Sequence, residues 1–169
     1  YGFKVTEITA HEVGDVAVSS TKIRKALGNG EIKIANQFLG YNFMLSGKVV
    51  KGRGLGKTIQ FPTANLQIDN AYKLIPKKGV YLVKAILDNQ LVYGMMNIGT
   101  NPTVSSSNEL SIEVFFFNFD KSLYGLHLTV QLIDRIREEL KFSGLDALKV
   151  QLESDSQVAL GQIELLTTN

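Results

Sequence analysis

The chain of 169 residues is 44% hydrophobic and 20% charged, with a formal net charge of only +2. That balance excludes a strongly basic nucleic-acid binder by bulk electrostatics and leaves room for no more than a local basic patch. There is no cysteine, which rules out disulfides, thiolate metal sites and cysteine nucleophiles, and the two histidines, His11 and His127, stand too far apart to suggest a His-rich metal site.

The opening Tyr1-Gly2-Phe3-Lys4 has neither an initiator Met nor the look of a signal peptide, so the chain is expected to start inside a longer gene product. No 18-residue apolar run follows that would span a membrane. The absence of cysteine accords with a reducing cytosol.

Up to about residue 40 the pattern is helical after a short strand. Ser19 to Leu27 reads as a capped helix stopped by Gly28-Asn29-Gly30. Glu31 to Leu39 reads as a second helix, with Ile32, Ala35, Phe38 and Leu39 on one face and Gly40 at its end. From Asn42 the period changes to two. Strands are expected over Phe43–Lys51, Thr63–Ile68, Val80–Leu87, Leu91–Ile98, Leu110–Phe119 and His127–Ile136, with a tight hairpin at Asp88-Asn89-Gln90. Six short strands with no interposed helices predict a mainly β fold, a small closed antiparallel barrel. Ser143 can cap a C-terminal helix from about Gly144, with Leu145, Leu148 and Leu152 on its buried stripe, and further helix to about Leu166.

Several segments carry possible chemistry. Gly52-Arg53-Gly54-Leu55-Gly56-Lys57-Thr58 lacks the spacing of a Walker P-loop, because Lys51 stands where its first Gly belongs, and Pro62 and a strand follow in place of a helix. Its free backbone N–H groups and the charges of Arg53 and Lys57 suit phosphate binding, but they also suit a plain hairpin loop. In Phe61-Pro62-Thr63-Ala64-Asn65, Thr63 and Asn65 share one strand face, where a hydroxyl and an amide would serve a hard cation and phosphate oxygens or simply meet water. Glu113 interrupts a strongly apolar strand and alternates onto one face with Phe115 and Phe117, opposite Ile112, Val114 and Phe116. A carboxylate there costs stability unless it is paired or wet. It fits a general base for a hydroxyl nucleophile, or an edge-strand charge that discourages aggregation.

These segments, in content and order, resemble the riboflavin kinase family from about Gly47 to about Leu152. The resemblance rests on the Gly-rich stretch, Phe61-Pro62-Thr63-Ala64-Asn65, Gly79-Val80-Tyr81, Asn97-Ile98-Gly99-Thr100-Asn101-Pro102-Thr103, Glu113, Leu123-Tyr124-Gly125, and Arg137-x-Glu139-x-x-Phe142. It implies a six-stranded barrel with a C-terminal helix over residues 42–169, converting riboflavin and ATP to FMN and ADP with Mg²⁺. It further implies that Gly52, Arg53, Gly54, Gly56 and Lys57 wrap the ATP phosphates, that Thr63 and Asn65 meet Mg²⁺ and phosphate, and that Glu113 is the base. Arg137, Glu139 and Phe142 would line the flavin side.

Residues 1–41 resemble the tail of the adenylyltransferase domain of bifunctional bacterial riboflavin kinase/FAD synthetases. Ser19-Ser20-Thr21-x-Ile23-Arg24 looks like that domain's second nucleotide signature, while its His-x-Gly-His type motif is missing, so this piece is expected to be incomplete. Three positions depart from the family pattern: Leu55 stands for a basic residue, Gln60 for Gly and Phe115 for His. Two other readings of a small barrel are a non-catalytic flavin binder and a single-stranded nucleic-acid binder. The latter calls for basic residues interleaved with exposed aromatics, which Phe115-Phe116-Phe117 lacks.

Overall fold

The computed structural model describes residues 12–13, 16–52, 56, 59–100 and 110–168. Two short strands, β1 (Glu12–Val13) and β2 (Val16–Ala17), pair antiparallel ahead of helices α1 (Ser20–Asn29) and α2 (Ile32–Leu39). Then come β3 (Met44–Val50), β4 (Ala64–Ile68), β5 (Gly79–Leu87), β6 (Gln90–Thr100), β7 (Leu110–Phe116) and β8 (His127–Arg137), followed by α3 (Leu145–Thr167). The last six strands close an antiparallel barrel in the order β3-β4-β7-β6-β5-β8, as the period-two pattern predicts.

Alternation along each strand sends one set of side chains inward. Leu45, Val49, Leu66, Tyr81, Val83, Met96, Ile98, Ile112, Val114, Phe116, Val130 and Leu132 fill the barrel. Leu87 pairs with Gln90 across the predicted hairpin, with Asp88 and Asn89 both at positive φ (49° and 61°). This is the two-residue turn whose twist matches antiparallel strands.

The outer face of the β7-β6-β5-β8 wall is not left to water. Val80, Leu82 and Met95 are buried there beneath α3, whose Ala159, Leu148, Leu152 and Ile163 pack against them. Because β5 is covered on both sides, Val80 to Val83 read as an unbroken apolar run rather than an alternation. Here the structure departs from expectation twice. The C-terminal segment is one continuous helix of 23 residues, and Leu145 in its first turn is exposed, so the buried stripe begins at Leu148.

The helical pair is joined to the barrel. Leu27 and Ile32 are fully buried within the same core as the inward strand residues. Asn36 fastens α2 through both ends of its amide: Nδ2 donates to Leu132 O at 2.9 Å, and Oδ1 accepts from Phe43 N at 2.7 Å. Ser19 caps α1 by accepting from Lys22 N, and Gly30 and Gly40 end the two helices, as the sequence indicates.

Candidate active site

The site is assembled by strand register. β7 lies between β4 and β6, with Glu113 directly opposite Asn65 on one side and Asn97 on the other. Residues directly opposite in adjacent strands point to the same face. The row Asn65, Glu113, Asn97 therefore runs across the outer wall, because the neighbours Ala64, Val114 and Met96 face inward. Thr63, at the entrance to β4, reaches the same corner: its Oγ1 donates to Glu113 Oε2 at 3.0 Å. Ser111, two residues before Glu113, donates from Oγ to Oε1 at 3.1 Å. Both carboxylate oxygens are thus held by hydroxyl donors.

Two glycines make room for this arrangement. A Cβ on Gly52 would lie 1.9 Å from Asn65 Nδ2, so only a bare backbone lets the loop after β3 rest on that amide. A Cβ on Gly99 would lie 2.5 Å from Glu139 Oε1 and 3.0 Å from Asn97 Nδ2. Glu139 occupies that space and accepts from Thr100 N through Oε1 at 3.1 Å, tying the segment after β8 to the end of β6.

Three concavities converge on this corner. The first, of about 260 Å³, lies between the outer wall and the start of α3. Phe61, Val80, Met95, Phe115, Leu148 and Leu152 give it apolar sides, and Thr63, Asn97, Glu113, Arg137 and Glu139 its polar groups. The second, of about 770 Å³, is more polar and runs past Lys51, Gly52, Asn65, Ser111 and Glu113. A third, of about 170 Å³, opens at the barrel end beside Thr63 and is lined by Val49, Ala64, Phe116 and Tyr124. Glu113 borders the first and second, and Thr63 the first and third. The first has the make-up of a cleft for a flat apolar ligand with a few polar edges.

Its aromatic side is ordered by Phe115, whose ring stands edge-on to Phe61 at 5.1 Å and to Phe117 at 5.5 Å between centroids. Its cationic side is Arg137. The guanidinium lies 5.7 Å from the centre of the Phe142 ring. It is gripped by Asp155 of α3, with Nε 2.8 and 2.9 Å from the two carboxylate oxygens and Nη2 at 2.8 Å. Asp155 is 2% exposed and accepts a further bond from Gln151 Nε2 at 2.9 Å.

Of the residues singled out from sequence, Gly56, Thr63, Glu113, Arg137, Glu139 and Phe142 line the first cleft, and Gly52 and Asn65 the second. Arg53, Gly54 and Lys57 lie outside the described residues. Gly56 closes a turn by accepting from Ile59 N and Phe61 N, and Gln60 within it sits at φ 68°, a conformation that a glycine adopts without strain. Three residues at the site went unassigned from sequence. Asn97 and Ser111 depend on strand register, which no local pattern reveals. Asp155 did leave a trace, as an acid on the apolar stripe formed by Leu148, Leu152 and Ala159.

Among the described residues, no group of three or more His, Asp or Glu is placed to hold a metal by itself. The corner at Thr63, Asn65 and Glu113 instead offers a few hard oxygen donors, the type of set that Mg²⁺ shares with substrate phosphates.

The family model described as "Flavokinase: Riboflavin kinase" matches residues 39–162. Bifunctional riboflavin kinase/FMN adenylyltransferases from Listeria monocytogenes and Escherichia coli are 41% and 40% identical over 92% and 94% of this chain. The chain spans about half the length of these curated relatives, 49% and 50%. A crystal structure described as a macrolide-efflux protein from Streptococcus pneumoniae superposes with a TM-score of 0.81 at 36% identity, over 90% of this chain and 49% of that one. Among the described residues, no helix is long and apolar enough to cross a membrane.

Fold and family model together define a closed-barrel kinase domain with an appended helix. The chain belongs to the riboflavin kinase family.

Proposed function

We propose that the chain transfers the γ-phosphoryl group of ATP to the 5′-hydroxyl of riboflavin, giving FMN and ADP. The observation that carries this reading is the position of Glu113, bordering both an aromatic cleft fit for the isoalloxazine ring and a polar cleft fit for phosphates. Riboflavin in the first cleft would bring its ribityl chain toward Glu113. The carboxylate takes the hydroxyl proton as that oxygen bonds to the γ-phosphorus, and the bond to the ADP bridging oxygen breaks. Phosphoryl transfer asks a protein mainly for such positioning and for charge stabilisation. Gly52 and Gly56, with Arg53, Gly54 and Lys57, are assigned to the phosphates, and the barrel-end concavity beside Thr63 suits an adenine base. The Thr63 hydroxyl and Asn65 amide oxygen would hold Mg²⁺, which when bound supplies charge neutralisation on the phosphates. Arg137, Glu139 and Phe142 form the flavin side.

A pure flavin binder would have no use for a carboxylate gripped at the junction of two clefts. We further assign residues 1–41 to the end of an adenylyltransferase domain and residues 42–169 to the kinase. The full-length protein would then also make FAD from FMN and ATP in the cytoplasm, whereas this chain would not.

The test is chromatographic assay of riboflavin, ATP and Mg²⁺ with the purified chain. FMN and no FAD is the expected outcome. Glu113→Gln should lower kcat by about 10²–10⁴-fold, and Asn65→Ala should weaken use of ATP. Wild-type turnover by Glu113→Gln would remove the base assignment, and absence of FMN would remove the activity.

A further inference from the structure

Ser111 is 7% exposed, and with Asp155 it is one of two buried polar side chains among the described residues. A buried hydroxyl costs free energy unless it is bonded, and its bond here is to Glu113 Oε1 at 3.1 Å. On the β6 side the residue opposite Ser111 is Gly99, which has no side chain to compete for the hydroxyl. Glu139, whose carboxylate fills the space over Gly99, is itself engaged by Thr100 N.

We infer that Ser111 is a positioning residue for the base: its hydroxyl fixes one carboxylate oxygen of Glu113 and so aims the other at the attacking hydroxyl. This rests on the reading of Glu113 as base. A glutamate side chain has three rotatable torsions, and a base is effective only within hydrogen-bond reach of the proton it takes. The two donors differ in what else they serve. Thr63 donates to Oε2 from the corner assigned to metal and phosphates, so its hydroxyl is shared with the substrate side. Ser111 holds Oε1 from within the same strand, on the side of the polar cleft and outside the lining of the aromatic one. Oε2 can therefore exchange Thr63 for the ribityl hydroxyl while Oε1 stays anchored, and the carboxylate does not swing when substrate arrives.

The measurement is steady-state kinetics on Ser111→Ala, Ser111→Thr and Glu113→Gln, with thermal melting of each. Ser111→Ala should lower kcat about tenfold, leave KM for riboflavin and ATP within about twofold, and leave the melting temperature nearly unchanged. Ser111→Thr, which keeps the hydroxyl, should recover kcat to within about threefold of wild type. A residue of purely structural importance would move the melting temperature rather than separate kcat from KM, and the threonine would not restore kcat in particular. Ser111→Ala with wild-type kcat, or Ser111→Thr as slow as Ser111→Ala, overturns the proposal. If Glu113→Gln turns over normally, the base reading itself fails. If Glu113→Gln is inactive while Ser111→Ala is normal, only the role of Ser111 fails.

Discussion

The pair formed by Asp155 and Arg137 gives the sharpest stability test. Asp155→Ala removes the acceptor of three Arg137 contacts between 2.8 and 2.9 Å and of the Gln151 bond. The guanidinium left behind is only 16% exposed. Removing one member of a buried pair costs about 3–5 kcal/mol, because the partner's charge stays buried without compensation. Arg137 borders a cleft that water can enter, so the lower end, about 3 kcal/mol, is expected. At about 2–4 °C per kcal/mol for a chain of this size, the melting temperature should fall by about 6–12 °C. Arg137→Met should cost at least as much, since it strands a carboxylate that is 2% exposed and has less access to water. The double variant Asp155→Leu with Arg137→Met should regain most of the loss, as apolar replacement of a buried pair often does. Melting curves by circular dichroism measure all three, and riboflavin KM measures the consequence for the cleft, which should rise in each variant. A single variant melting within about 2 °C of wild type, or a double variant no better than the singles, would refute the reasoning.

Two further outcomes follow from the same geometry. Gly52→Ala places a methyl where the Asn65 amide lies, 1.9 Å from Nδ2, so kcat/KM for ATP should fall about tenfold or more; an unchanged value would show that Asn65 is free to move. Burial pushes the Tyr81 phenol above its ordinary value of 10.0, against an opposing pull from Arg135. The raised value favours the folded state fully below about pH 10, and this contribution is lost as the unfolded chain ionises first and the pH climbs through the folded value. Denaturant midpoints should therefore drop on the alkaline side, and Tyr81→Phe, although it gives up the hydroxyl bond to Lys77 O, should flatten that drop. An equally steep fall in the variant would assign it to other groups.

Much of this architecture was legible because each strand carries its own alternation. The segment Leu110–Phe116 shows it: Ile112, Val114 and Phe116 point inward, and Glu113 is set on the other face with Phe115, as its period alone indicates. What the outer face packs against was not legible. The sequence put Thr63 and Asn65 on one strand face and Glu113 on a face of another strand, without indicating that the three meet. They meet on the outside wall, in neighbouring strands. Their meeting was not legible because β4 and β7 are brought side by side by long-range closure, and a register such as Asn65 opposite Glu113 depends on loops and on every other strand in the ring. Asn97 and Ser111 were given no role at the site for the same reason. Leu145 was misplaced on the buried stripe because a helix's first turn can project beyond the surface it packs on.

The placement on the outer wall has a physical consequence. Midway along the barrel, side chains such as Leu45, Met96, Val130 and Leu132 are fully buried, so this stretch is packed core, and the interior opens at the end lined by Val49, Ala64 and Phe116. The polar row Asn65, Glu113 and Asn97 sits on the opposite side of the same strands, where a cleft, rather than apolar packing, meets the charge of Glu113. The backbone that fixes the spacing of these groups is therefore held from its inner side by core packing. Helix α3 supplies part of the wall of the aromatic cleft, through Leu148 and Leu152. It is joined to the barrel through Ala159, Leu148 and Leu152 and through the ion pair of Asp155 with Arg137, so a few named contacts hold that wall in place. Changes along α3 at those positions should alter riboflavin KM before they alter the transfer step, while changes at Glu113, Ser111 and Thr63 should do the reverse.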